Sequence, residues 1–254
     1  EWYVESVDEA RARKAFDAWY ATNVLSEGEQ LVSKDELKIA IGTCHQTVNK
    51  GGFGYAHGHA QQTISKGGQG EADDNSSQVV NNGGRGRAFG NAFQTVNKGG
   101  YGKAYGRDGQ GKACGKVRQI INEGGRGLAD GDASQTINNG GEGDARGLVN
   151  QIVNEGGFGE VHEYASQTIN KGGWGLADDN TRQIINRGGF GEACNHASQT
   201  INKGGLGYAS EHACQIVNEG GRGRARDRVQ QTVKKGGIGL AYGKTVKKIE
   251  EDNS

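Results

Sequence analysis

The chain has 254 residues, of which 47 are glycine and none is proline or methionine, and thirty basic residues balance thirty acidic ones. An apolar fraction of 33% is too low for a large conventional core, and zero net charge removes the electrostatic drive for binding nucleic acid. No run approaches the ~18 apolar residues of a membrane helix, and glycine does not recur every third residue as collagen requires.

A chain that begins Glu1-Trp2-Tyr3 without an initiator methionine is expected to be processed, which points to a secreted or organellar protein. Residues 1–44 hold few glycines and predict two helices. The first runs from about Val7 to Thr22 and carries Phe16, Trp19 and Tyr20. The second starts near Ser33, where Ser33-Lys34-Asp35-Glu36 has the form of a capping box. The phrase Leu31 to Ile41 resembles the second half of an EF-hand, with Val32 at the small-sheet position and Glu36 as the closing glutamate. Calcium is what this resemblance implies, yet the first ligand position falls on Leu25 and the turn glycine on Gln30, and only Glu27 and Glu29 match ligands. The segment is therefore expected to be a degenerate helix pair that caps the rest of the chain or docks a partner, with no metal and no cofactor assigned to it.

From Gln46 a repeat takes over. The phrase Gln-(Thr/Ile/Val)-(Ile/Val)-Asn-x-Gly-Gly-x-Gly-x-Ala starts at residues 46, 62, 78, 94, 119, 135, 151, 167, 183, 199, 215 and 231. Every interval is 16 residues except the 25 between Gln94 and Gln119, which places an insertion near 103–118. With the glutamine as position 1, glycine fills positions 6, 7 and 9 in every copy, and alanine fills position 11 in all but one, where Val161 stands. Positions 2 and 3 supply 24 residues, all Thr, Val or Ile. A buried helical stripe has no reason to exclude leucine, whereas a strand favours β-branching. Each unit thus reads strand, Gly-Gly turn, strand, turn, and twelve coils stacked at ~4.8 Å give a two-sheet β-solenoid about 58 Å long. The alternative is a helical-hairpin solenoid with a 32-residue repeat, because from Gln119 onward position 2 alternates strictly between Ile and Thr. Beyond residue 246 the pattern ends in a charged tail, 247–254.

Alternation along a strand sends positions 15, 1, 3, 9 and 11 inward. The inward glutamines can then form an amide ladder along the axis, and the asparagines of position 4 a second one at the corner. Outward on the first strand lie positions 2 and 4, an almost uncharged face. Its residues are Thr47, Asn49, Thr63, Thr95, Asn97, Ile120, Asn122, Thr136, Asn138, Ile152, Asn154, Thr168, Asn170, Ile184, Asn186, Thr200, Asn202, Ile216, Asn218 and Thr232. The second strand turns a mixed row of aromatic, apolar and charged residues outward, Phe158, Trp174 and Phe190 among them.

The 16-residue period with Gly-x-Gly resembles bacterial ice-nucleation repeats, and the Gln/Asn/Gly/Ala vocabulary is similar to curli subunits. The first resemblance implies ordering of ice or water, the second an assembled fibre. Chemistry-bearing residues are few. His196 and His212 share position 14 of successive coils near Cys194 and Cys214, a spacing that zinc could use but that variable turns also produce. Cys44, Cys114, Cys194 and Cys214 have no CxxC spacing and allow three pairings. Arg85-Gly86-Arg87 and the run Arg222 to Arg226 read as a solvated face, since Glu142 and Asp144 fill the same frame. The expected protein is a non-enzymatic structural or scaffold subunit. It packs against other protein subunits or itself through the Thr/Ile/Asn face, with no nucleic acid and no membrane span. The alternative partner for that face is an ice surface.

Overall fold

The computed structural model describes residues 5–105 and 117–250. After one helix, α1 (Glu5–Asn23), the described chain is strand and turn throughout, which removes the helical-hairpin alternative. It winds as a β-solenoid of about 13 turns with two parallel sheets of 14 strands each. Consecutive strands alternate between the sheets, so each strand pairs only with its counterparts one coil before and after. Sheet one carries positions 16 to 3 of each repeat, as in His45–Val48, and sheet two positions 8 to 11, as in Phe53–Ala56.

Register follows the repeat without slippage: Gln151 pairs with Gln167, Gly159 with Gly175. The insertion leaves it intact. Gln94 sits opposite Gln119 in sheet one and Gly102 opposite Gly127 in sheet two, so the nine extra residues are confined to the connection between Tyr105 and Val117. Cys114 lies there, outside the described residues.

Thirteen glutamines, from Gln30 to Gln231, form the predicted ladder. From Gln46 onward each Nε2 donates to the Oε1 of the glutamine one coil earlier at 2.6–2.7 Å. Buried amides cost free energy unless paired, and here each pairs with its own kind. On one side of the ladder stack the Val and Ile of position 3, and on the other the small residues of positions 11 and 15. The core is thin, which explains how a third of apolar residues suffices.

The three glycines of the repeat have three different causes. Position 6 takes a left-handed backbone, as at Gly156 with φ 69°. At position 7 the obstacle is the coil beneath: a Cβ on Gly68 would lie 2.7 Å from the carbonyl oxygen of Val48. Position 9 faces the ladder, where a Cβ on Gly175 would lie 2.3 Å from Gln167 Oε1.

The ends depart from expectation. The helix predicted from Ser33 is absent: Val24–Leu25 (β1), Glu29–Val32 (β2) and Leu37–Ala40 (β3) are strands of a first coil, so the solenoid begins at Val24 rather than after residue 44. Gln30 and Val32 occupy positions 1 and 3 of this coil. The supposed capping box is the turn between β2 and β3. The Ser33 N–H donates to Glu36 Oε2 at 2.7 Å, and Asp35 takes the left-handed backbone of position 6 with φ 63°. At the other end Val246–Glu250 pairs with Gln230–Lys234, so the start of the expected tail is a further strand. Lys247 stands there in the glutamine column, its Nζ on the Gly239 carbonyl at 2.8 Å, much as Gln183 Nε2 reaches Gly175.

Candidate interaction faces

The outward column of sheet one brings together Thr47, Thr63, Val79, Thr95, Ile120, Thr136, Ile152, Thr168, Ile184, Thr200, Ile216 and Thr232 in register. Ile152 and Ile216 are exposed, and the rest are half-buried between their neighbours. The asparagines behave differently from a docking row. They lie in the turn after the strand, and from Asn97 to Asn218 each Nδ2 donates to the Oδ1 one coil earlier at 2.8–3.1 Å, Asn81 being the first acceptor. Asn97, Asn122, Asn138, Asn154, Asn170, Asn186 and Asn202 therefore spend a donor and an acceptor on the ladder, and Asn218, followed by Lys234, a donor; the run does not extend to Asn49, because Ser65 intervenes.

A second outward column escaped the repeat reading. Position 16 precedes the glutamine and projects from the same face as position 2, as the exposed-buried-half-buried-buried pattern of His45–Val48 demonstrates. It carries His45, Phe93, Arg118, Arg182 and Cys214, all exposed. Strict period-two alternation around the glutamine would have found it. The Thr/Ile column is thus uncharged, but Arg118 and Arg182 stand beside it.

Sheet two turns positions 8 and 10 outward. Arg87 reaches Glu71 at 3.2 Å, and Arg126 reaches Glu142 at 2.9 Å, so the run Arg85-Gly86-Arg87 lies on a mixed-charge face, while Arg222 and Arg224 stand between Leu206 with Tyr208 and Ile238 with Leu240. Phe158 and Trp174 have ring centroids 4.8 Å apart, and Phe190 continues the row 6.2 Å from Trp174. A depression of about 570 Å³ is floored by Gly70 and Gly86 and edged by Phe53, Arg85 and Tyr101.

The histidine and cysteine positions do not converge as metal ligands. His196 and His212 stack in parallel with centroids 5.5 Å apart, and Arg228 extends the stack, its Nη1 3.3 Å from His212 Nε2. Cys194 donates instead to Asp178 at 3.4 Å. Burial, with the Asp178 carboxylate beside it, pushes this thiol up to about 12, far from a ready thiolate. Among the described residues, His57, Asp73 and Asp74 are the group whose ligand atoms could share an ion, and His57 Nε2 already pairs with Asp74 at 3.1 Å on an open turn. Glu36, the EF-hand glutamate of the sequence reading, is engaged by the Ser33 N–H and by Lys38 Nζ at 3.0 Å, and both hold its carboxyl below the usual range.

The helix α1 is exposed over nearly its whole length, and Phe16, Trp19 and Tyr20 cluster on it with centroids 6.0–6.4 Å apart. It joins the solenoid at its C-terminal end, where Asn23 O accepts from Gln30 Nε2, the first donor of the ladder. No described helix is long and apolar enough to cross a membrane.

No protein-family model and no curated protein matches the chain. Among solved structures it is similar to the TibC-catalysed, hyper-glycosylated TibA55-350 fragment, with 21% identity and a TM-score of 0.41 over 91% of this chain and 96% of that one. The fold itself, a two-sheet parallel β-solenoid, places the chain among repeat proteins.

Proposed function

We propose that the chain is a non-enzymatic structural repeat protein whose sheet-one face is a contact surface within a larger assembly. The observation that carries this reading is the in-register Thr/Ile column of sheet one. It is an uncharged, β-branched row held at one strand spacing for the length of a rigid rod. β-Branched side chains on a ladder-locked backbone lose little further freedom on contact, so such a row is pre-organised for a flat partner. Arg118 and Arg182 border it and supply polar contacts at its edge.

The same column could order water against ice, with threonine in every other rung from Gln119 onward. One pair of measurements separates the two. Concentrated protein is examined for higher-order assembly by sedimentation velocity, and for ice shaping and thermal hysteresis, beside the Thr168→Lys/Thr200→Lys variant. Assembly lost in the variant supports the packing role. Hysteresis lost in the variant replaces it with ice binding, and a wild type with neither property overturns both.

A further inference from the structure

Sheet two carries a row of exposed apolar side chains that nothing in the described chain covers: Tyr55, Tyr101, Trp174, Leu206 and Ile238 are 39–53% exposed. Its charges segregate about the middle of the sheet. On the three strands before the middle, positions 8 and 10 hold Arg85, Arg87, Lys103 and Arg126; on the four after it they hold Glu142, Asp144, Glu160 and Glu192. Further out the pattern lapses, with Glu71 on one side and Arg222 and Arg224 on the other, the two arginines falling opposite Leu37 and Ile39 of the second copy. We propose that this face is the interface of a homodimer, two copies lying face to face with antiparallel axes. Their two-fold axis runs along the strands, midway between Arg126–Asp130 and Glu142–Arg146.

Two symmetric arrangements can bring one flat face onto its own copy. A two-fold along the solenoid would lay position 10 on itself, setting Arg87 on Arg87, Lys103 on Lys103 and Glu160 on Glu160. A two-fold along the strands instead pairs each strand before the axis with the strand equally far beyond it. Like positions then meet with opposite charge: Arg126 with Glu142, Asp130 with Arg146, and Lys103 with Glu160 of the second copy.

The apolar residues obey the same symmetry. Tyr101 meets Phe158, and Phe53 with Tyr55 meets Leu206 with Tyr208. Trp174, 43% exposed between Phe158 and Phe190, falls over Arg85 and the depression floored by Gly70 and Gly86, so the protruding ring of one copy fills the hollow of the other. Glu71 falls opposite Glu192, but Arg87 already holds Glu71 at 3.2 Å in its own chain.

The face is also large enough. Fourteen strands about 4.8 Å apart, most of them four or five residues long, span about 65 by 13 Å. That is on the order of 850 Å² per copy, against the roughly 800 Å² per partner of a stable complex. The pair Arg126 and Glu142 touches within one chain at 2.9 Å and so has a second explanation. Lys103 and Glu160 have none: they lie three strands apart, roughly 14 Å, and only a second copy brings them together.

That pair provides the test, with molar mass read by light scattering and sedimentation over concentrations up to about 100 µM. The wild type is expected to dimerise, and Lys103→Glu and Glu160→Lys each to weaken the dimer at least about tenfold, because like charges then face each other twice. Mixed one to one, the two variants are expected to dimerise again, since each supplies the charge the other lacks. Both side chains point outward, so the circular dichroism and unfolding midpoint of each variant stay those of wild type. A monomeric wild type, single variants as dimeric as wild type, or a mixture that stays monomeric would each overturn the proposal. So would a dimer dissolved by Thr168→Lys/Thr200→Lys, which would assign self-association to sheet one.

Discussion

The first coil and the middle coils share one backbone path and the inward Gln, Val/Ile and Ala of positions 1, 3 and 11, but not the glycines. In the middle, positions 6, 7 and 9 are Gly172, Gly173 and Gly175; in the first coil they are Asp35, Glu36 and Lys38. The difference shows who demands the glycines. A Cβ on Gly173 would press on the Val153 carbonyl of the coil beneath at 2.8 Å, and beneath Glu36 there is no such coil, because β1 holds only Val24 and Leu25, paired with Ile39 and Ala40. Lys38 is tolerated at position 9 because the Gln30 amide turns away to Asn23 and the lysine ammonium caps the Leu31 carbonyl at 2.8 Å. Stacking, rather than the path of a single coil, imposes the glycines of positions 7 and 9; position 6 keeps its left-handed backbone in both coils, with φ 63° at Asp35 and 73° at Gly172.

The sharpest break of that comparison is a side chain at position 9 in mid-stack. Gly175→Val should destabilise by about 3 kcal/mol or more, since its Cβ alone would meet Gln167 Oε1 at 2.3 Å and Ile169 Cδ1 at 2.7 Å. Lys38→Gly in the first coil should change the urea midpoint little. A clear rise of the urea midpoint in Lys38→Gly would mean that the coil itself requires glycine at this position, whatever lies beneath it.

The glutamine ladder gives the next largest contrast. Gln151→Leu leaves Gln135 Oε1 without its donor and Gln167 Nε2 without its ladder acceptor, two buried groups at once, although Gln167 keeps its bond to the Gly159 carbonyl at 2.9 Å. About 2–3 kcal/mol is expected from one to two orphaned amides. Gln30→Leu at the ladder's end removes one glutamine partner and should cost about half as much. Because solenoid stability adds coil by coil, the central variant should also unfold in two steps by hydrogen exchange, with the break at the damaged rung.

The contrast between coils also marks what was legible beforehand. Period, strand pairing, the inward glutamines and the corner asparagines all followed from positions that repeat identically, because a parallel stack sets each residue against its own kind. The first coil was hidden for the same reason: with no coil beneath, it had shed the glycines that announce the repeat, and Ser33-Lys34-Asp35-Glu36 suits a turn as well as a helix start. Of the faces, the Thr/Ile column could be named; at its neighbour, position 16, serine recurs before the threonines (Ser134, Ser166, Ser198), but elsewhere the column varies among Ser, Gln, Asn, Arg, Phe, His and Cys and does not read as a face. The charge inversion about the middle of sheet two became visible only once each coil had a place along the axis.

Two positions break the small-residue column in the opposite sense. Position 15 is mostly alanine or valine, but Ser76 and Thr181 stand there fully buried, and neither hydroxyl has a partner. A hydroxyl taken from water without a replacement hydrogen bond costs roughly 1–3 kcal/mol, so these coils are weaker than their neighbours at Ala60 and Ala165. Ser76→Ala removes the group and leaves the side chain of the neighbouring coils, and Thr181→Val keeps the shape while deleting the oxygen. Each should raise stability by about 1 kcal/mol, and because the two sites lie several coils apart the gains should add. A higher urea midpoint in both single variants and a summed shift in the double variant are the expected readings. Unchanged or lower midpoints would mean that water reaches these hydroxyls in solution, and hence that the column beside the glutamine ladder is less dry than its packing implies.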